Sequence, residues 1–212
     1  MRLKDLMGTY NAIFSLGDLC LASIQLRKNN LRPFAGVLDW MASPSLSDVN
    51  RLLRNRFAGF MEMSNLRVIG YAGTYAEDDT ICVSDDAYNI VSNHDFLTNK
   101  NTISNLSGYS EVRYKLDRRI QRFLEKAATC EKILFIRTEG AFKEVLELHE
   151  TLSGLVKNDF RILIINHTNV SGIVEKHWPI DKVCAIELPD KDKWNANDHY
   201  WSSILTDIHL NF

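Results

Sequence analysis

The sequence predicts an α/β protein. The expected architecture is a single domain over residues 1–212, a three-layer fold with a mostly parallel central sheet and helices on both faces. Three observations lead there. From residue 132 onward, short apolar runs at 132–137, 161–166 and 182–188 alternate with stretches whose apolar residues recur at helical spacing, the pattern of βαβ units. Those runs are near-continuously apolar, as strands covered on both faces are. The chain has 212 residues, 45% hydrophobic and 25% charged, enough for one sizeable core.

In chain order, residues 1–10 read as a lead-in. A strand over 11–16 meets a tight turn at Gly17, and a helix runs from Asp18, its expected N-cap, to about Lys28, where Asn29-Asn30 ends it. Residues 31–41 form a loop or short extended piece carrying Arg32, Asp39 and Trp40, which are available to line a cleft. A second helix covers about 46–56: Ser45 with Asp48 resembles a cap with an acidic first turn, and Leu46, Val49, Leu52 and Leu53 share one face. Short strands are expected near 66–69 and 81–84, around an exposed Gly/Tyr/acidic loop at 70–80. A strand at 88–92 then runs into Asn93-His94-Asp95-Phe96, and 97–109 is a polar connection. Helix 110–128 presents Val112, Leu116, Ile120, Phe123 and Leu124 as its apolar stripe; Arg113, Lys115, Arg118 and Arg122 take mostly other faces, while Arg119 projects into the stripe. There follow a strand at 132–137, a helix at 141–157, a strand at 161–166, a short helix near 170–177, a strand at 182–188 and a last helix at about 196–208.

Composition excludes several classes. A net charge of -2 gives no global basic field, and the Arg-rich helix at 113–122 lacks interleaved aromatics, so no nucleic-acid partner is expected. No apolar run approaches a membrane span and the first residues lack a signal-peptide core; the expectation is a cytoplasmic protein with no membrane partner. Cys20, Cys82, Cys130 and Cys184 are scattered without C-x-x-C pairing, so neither a zinc site nor a disulfide framework is expected. No nucleotide-loop or zinc-protease motif is present, and no metal or cofactor is expected.

One stretch has an activating context. A strand–turn–helix at residues 11–22 sets Cys20 in the first turn of a helix, where free amides and the positive dipole end favour a thiolate and would hold an oxyanion. A nucleophilic cysteine also needs a base. His94, followed by Asp95, and His167 both sit at strand ends, where α/β folds place ligands. Asp39 is placed to orient an imidazole, or to cap a turn beside a packed Trp40. Arg119 and Arg137 need anionic partners, either protein carboxylates such as Asp39 or Asp95, or a ligand. The same turn, Gly17-Asp18 with Arg119 or Arg137, also reads as a cradle for a phosphate or carboxylate.

Several segments together resemble the DUF1796 family, described as papain-like cysteine peptidases of bacteria and phages. They are Phe14-Ser15-Leu16-Gly17-Asp18-Leu19-Cys20, Leu38-Asp39-Trp40-Met41, His94-Asp95-Phe96, Arg118-Arg119-Ile120-Gln121-Arg122-Phe123, Ile133-Leu134-Phe135-Ile136-Arg137 and Asn166-His167-Thr168-Asn169. The resemblance implies Cys20 as nucleophile, His94 as base and Asp39 or Asp95 as orienting acid, acting on a peptide or small-molecule substrate. Papain-like folds pair a helix-borne cysteine with a histidine on an antiparallel sheet, whereas the spacing after residue 132 predicts parallel units. Two other readings stand beside the hydrolase: an α/β protein that binds or transfers an anionic group at the Gly17–Cys20 turn, and a phage–host interaction protein without catalysis.

Overall fold

A computed structural model describes residues 1–73 and 79–211. The architecture is mixed α/β, with five α-helices and three sheets among the described residues. The sheets are mixed, where one mostly parallel array was expected.

The lead-in is structured: Leu3–Leu6 forms a 3-10 turn, and β1 (Gly8–Tyr10) pairs in parallel with the last strand of the chain. β2 (Ala12–Ser15) is buried throughout and leads through the Gly17 turn to α1 (Leu21–Lys28). β3 (Met41–Ala42) precedes α2 (Leu46–Arg54), whose N-cap Ser45 Oγ accepts from Asp48 N at 3.2 Å. β4 (Leu66–Tyr71), β5 (Thr80–Asp85) and β6 (Ile90–Leu97) follow; the expected exposed loop between β4 and β5 lies partly outside the described residues. After α3 (Tyr109–Thr129) come β7 (Lys132–Thr138), α4 (Phe142–Leu155), β8 (Asp159–Thr168), β9 (Val174–Lys176), β10 (Val183–Pro189), α5 (Asp198–Leu205) and β11 (Ile208–Leu210), the partner of β1.

The largest sheet has the order β2-β7-β8-β10-β9. Its first four strands are parallel. The fifth, β9, is antiparallel to β10 and stands where a short helix was expected near 170–177. Only a few residues are available there, with β-branched Ile173 and Val174 beside Gly172, and pairing to an existing edge orders such a segment more readily than an isolated turn of helix. All three β9 residues are exposed, and Lys176 Nζ lies 3.2 Å from Glu187 Oε1 across the pair, a charged edge of the kind that discourages further strand addition.

Strand alternation sorts the apolar side chains into two clusters. Phe14, Ile133, Phe135, Ile162 and Ile164 pack with Leu52 and Leu53 of α2, Leu116 and Phe123 of α3, and Leu148 and Leu152 of α4. Ile13, Leu134, Ile136, Leu163, Ile165 and Ile186 pack with Leu21 and Leu26 of α1 and Trp201 and Ile204 of α5. Phe14 and Phe123 meet with ring centroids 4.7 Å apart, so the aromatic centre of the core ties α3 directly to the strand that feeds the Gly17 turn.

A separate antiparallel sheet runs β3-β6-β5-β4. The expected strand at 88–92 is β6, and it continues to Leu97, so His94 and Asp95 lie within a strand rather than beyond one. Parallel βαβ units and an antiparallel sheet therefore coexist in this chain; three strands of the latter, β4, β5 and β6, lie between α2 and α3, and its edge strand β3 precedes α2.

Candidate active site

The turn after β2 is built from backbone up. Gly17 and Asp18 both have left-handed φ values, 83° and 74°, which no right-handed helix accommodates, so the helix starts at Leu21 with Cys20 at its N-cap. Asp18 is therefore not the cap, and Cys20 sits just before the first turn rather than within it. A neighbouring segment clamps the turn. Asp18 N donates to Ser43 Oγ (3.0 Å), Ser43 N donates to Asp18 O (2.8 Å), and Thr138 Oγ1 donates to Gly17 O (3.2 Å). A Cβ on Gly17 would stand 2.6 Å from Ser43 Oγ, so close approach as well as φ requires glycine here.

Arg137 completes the clamp. It is fully buried, and its guanidinium donates to Leu16 O (2.9 Å), Ser43 Oγ (2.7 Å), Ser43 O (2.6 Å) and Glu139 O (3.1 Å). Every one of these acceptors is neutral, and burial brings its pKa down to about 10 against the opposing pull of Asp18, Glu144 and Glu139. The expected anion cradle is corrected on this point. The amides of Gly17 and Asp18 are already bonded to Ser15 Oγ and Ser43 Oγ, and Arg137 spends its donors on the turn and on Ser43.

Cys20 is buried, 8% exposed. Burial pushes its thiol up; a hydrogen bond from its own backbone opposes this and the Asp39 charge adds to it, so the net direction is upward. This direction runs against the resting thiolate expected from the sequence: burial of the sulfur outweighs the backbone hydrogen bond that opposes it.

Asp39 is 3% exposed and accepts from Arg32 Nε (2.6 Å) and Gly36 N (2.7 Å). It caps the 32–39 loop and pairs with Arg32; no hydrogen bond joins it to a histidine among the described residues. The Arg32 guanidinium lies over the Trp40 ring at 5.0 Å, and Arg27 of α1 approaches the same ring at 5.9 Å. His94, exposed on β6, meets Trp40 edge-on, with centroids 5.7 Å apart at 78°. Cys20 feels the Asp39 charge, and His94 stands against Trp40, the residue that follows Asp39. No hydrogen bond joins Cys20 to His94 among the described residues.

His94, Trp40, Asp95 and Arg119 line a cleft of about 360 Å³. Arg119 Nη1 lies 3.1 Å from Asp95 Oδ1, and Ser92 Oγ donates to Asp95 Oδ2 at 3.1 Å. The inward Arg119 inferred from helical spacing is therefore paired with a protein carboxylate at the cleft wall, and Asp95 serves that pair rather than His94.

His167 ends elsewhere. It lies inside β8, its side chain 2% exposed, with Nδ1 2.7 Å from Glu139 Oε1 and its backbone N donating to Glu139 Oε2 at 3.3 Å. Its Nε2 is buried with no hydrogen-bond partner among the described residues. Burial alone would raise Glu139, but the His167 hydrogen bond and charge outweigh it and hold the carboxyl below its ordinary range. Burial pushes Asp18 up, against Arg137 and Lys193. Glu139 and Ser43 were not visible as site residues in the sequence: a left-handed glutamate (φ 58°) and a serine hydroxyl serving as a hub leave no spacing signature.

Taken together, the fold and site define a mixed α/β protein with a cysteine at a helix start and a histidine on an antiparallel sheet. The chain belongs to the DUF1796 family, described as "Putative papain-like cysteine peptidase", which matches residues 11–170. It is also similar to the uncharacterized protein R408 of Acanthamoeba polyphaga mimivirus, with 26% identity over 222 residues, 94% of this chain and 99% of the viral one. No solved structure matches it significantly. Among the described residues no helix is long and apolar enough to cross a membrane, and no group of three or more His, Cys, Asp and Glu side chains is placed to hold a metal ion.

Proposed function

We propose that the protein is a cysteine-dependent hydrolase of peptide or amide bonds, with Cys20 as nucleophile and His94 as base. The observation that carries this reading is the placement of Cys20 at the α1 N-cap together with a strand-borne His94 that lines a cleft edge-on to Trp40, in a chain of the papain-like family. In the reaction, the Cys20 proton passes to His94 as sulfur bonds to the scissile carbonyl carbon. Amides of the first turn of α1 hold the resulting oxyanion. The C–N bond then breaks, His94 gives its proton to the leaving amine, and water hydrolyses the thioester to regenerate the thiol. Contacts between nucleophile and base commonly tighten only in the substrate complex, which accommodates the unbonded Cys20 and His94 of the free protein.

Trp40, edge-on to the imidazole, takes the positioning part expected of Asp39, and Asp39 holds the loop that carries Trp40. The reading also places the protein in a reducing compartment such as the cytoplasm, with its four cysteines as free thiols.

The test is covalent labelling by a peptidyl electrophile, such as a vinyl sulfone, mapped by mass spectrometry. Labelling is expected at Cys20 above Cys82 and Cys130, abolished by Cys20→Ala and strongly reduced by His94→Ala. Equal labelling of the three cysteines, or indifference to His94→Ala, overturns the proposal.

A further inference from the structure

The cleft at His94 does not end at Arg119. A second cleft of about 310 Å³, lined by Phe34, Arg118 and Arg122, shares Lys115 and Arg119 with the first. The joined walls carry four cations, Lys115, Arg118, Arg119 and Arg122, against one carboxylate, Asp95. This concentration stands out in a chain of net charge -2. Arg119 is paired with Asp95, and Lys115 with Glu111 at 2.6 Å. Arg118 and Arg122 have no carboxylate partner among the described residues. They rest on aromatic rings instead: Arg122 lies over Phe34 at 5.0 Å and Arg118 over Tyr114 at 5.8 Å. Among the described residues, Nη1 is the one Arg122 donor engaged, by Ala35 O at 3.4 Å. A guanidinium resting on a ring has less freedom left to lose on binding, and its planar fork suits a carboxylate or phosphate.

We propose that these joined clefts bind an acidic peptide segment, with the carboxylates of alternate residues pairing with Arg118 and Arg122. Four residues of helix advance about 6 Å. Alternate residues of an extended peptide, whose side chains share one face, are about 6.8 Å apart. The two spacings match closely enough for one extended strand to engage both arginines while its backbone runs on toward His94. The aromatic rings argue against a single-stranded nucleic acid. Trp40 already carries Arg32 and the edge of His94, and Phe34 carries both Arg122 and Lys126 (5.4 Å), so neither is an open platform for a base. That the bound peptide is also the substrate rests on the hydrolase reading; the binding itself does not.

The experiment titrates the full chain carrying Cys20→Ala, which prevents turnover, into peptides bearing a neutral dye and read by fluorescence anisotropy. An alternating Glu-Ala octamer, a Gln-Ala octamer and an eight-nucleotide thymidine strand are compared. The Glu-Ala peptide is expected to bind at least about tenfold more tightly than the Gln-Ala peptide, to weaken as salt rises, and to lose about tenfold with Arg118→Gln/Arg122→Gln. The substituted side chains are on the surface of α3, and circular dichroism verifies that the variant is folded; Arg118→Lys/Arg122→Lys retains charge and is expected to recover part of the affinity. Equal binding of the two peptides, unchanged affinity in the Gln variant, or tighter binding of the oligonucleotide overturns the proposal. Because the readout is binding in a chain without Cys20, it stands or falls apart from electrophile labelling.

Discussion

The Gly17–Ser43–Arg137 clamp makes a quantitative prediction that a double-mutant cycle tests. In Ser43→Ala, a buried guanidinium N–H loses the acceptor at 2.7 Å and the Asp18 amide loses one at 3.0 Å. A bond from a charged group and one from a neutral amide together contribute about 2–4 kcal/mol. In Gly17→Ala, the new Cβ would stand 2.6 Å from Ser43 Oγ and displace it, removing the same two bonds. The left-handed φ of 83° adds about 1–2 kcal/mol of backbone strain for alanine. Once Ser43 is alanine, no hydroxyl remains to be displaced, and Gly17→Ala costs only the strain. The double variant is therefore about as stable as Gly17→Ala alone, and the two single effects fall short of additivity by about 2–4 kcal/mol. Urea denaturation of the four proteins, with slopes compared to confirm two-state unfolding, reads this out. Single effects that add to within about 0.5 kcal/mol would show that Ser43 Oγ does not occupy the space behind Gly17, and would refute the clamp.

Asp39→Asn removes a charge that raises the Cys20 thiol, so alkylation of Cys20 by iodoacetamide at pH 8 is expected to quicken even as the loss of the Arg32 ion pair lowers the melting temperature; an unchanged alkylation rate contradicts the electrostatic link. Burial carries Tyr10 and Cys184 up to about 12, above their unfolded values. The stability they contribute is full below about pH 8.5 and is lost as pH rises toward 12. Cys184→Ala should flatten the alkaline fall by up to about 1.4 kcal/mol per pH unit, measured by urea titration at pH 9 to 11. Glu139 is held below its ordinary range by His167, so its contribution is present above about pH 4.3 and lost as pH falls through its folded value. Glu139→Gln should reduce the slope of stability between pH 3 and 5, and an identical slope would dissociate the His167 pair from folding.

What could be read from the sequence divides by range. Helix α2 and strands β7, β8 and β10 announced themselves by periodicity, cap chemistry and apolar runs, because those signals are local. The helix expected at 170–177 failed because a sheet edge supplied pairing partners that periodicity does not encode. Strand β1 was missed for a related reason: its partner, β11, lies almost the whole chain away. At the site, the inward direction of Arg119 followed from helical angle, and its pairing with Asp95 was among the alternatives. Asp39 was legible as a turn cap as well as an orienting acid, and the structure shows the cap. Position on a helix, which favours a Cys20 thiolate, is visible in sequence, whereas burial of the sulfur and the Asp39 charge, which push the thiol up, are tertiary facts.

That thiol state constrains the chemistry. A cysteine whose pKa is lowered stores a thiolate–imidazolium pair before substrate arrives; a cysteine raised by burial and by Asp39 holds its proton until something accepts it. Under the proposed function, deprotonation therefore belongs to the substrate complex, with His94 acting as a general base in the step that forms the carbon–sulfur bond. The cleft beside His94 supports that order of events. A peptide entering it covers an exposed histidine with apolar and backbone groups, and contacts the same loop, through Trp40, that holds Asp39 against Arg32. Reactivity toward small alkylating agents should consequently be low in the free protein and should rise when an unreactive peptide occupies the cleft, the opposite of what simple steric protection produces. A cysteine with a preformed ion pair would show fast alkylation without ligand and slower alkylation with it.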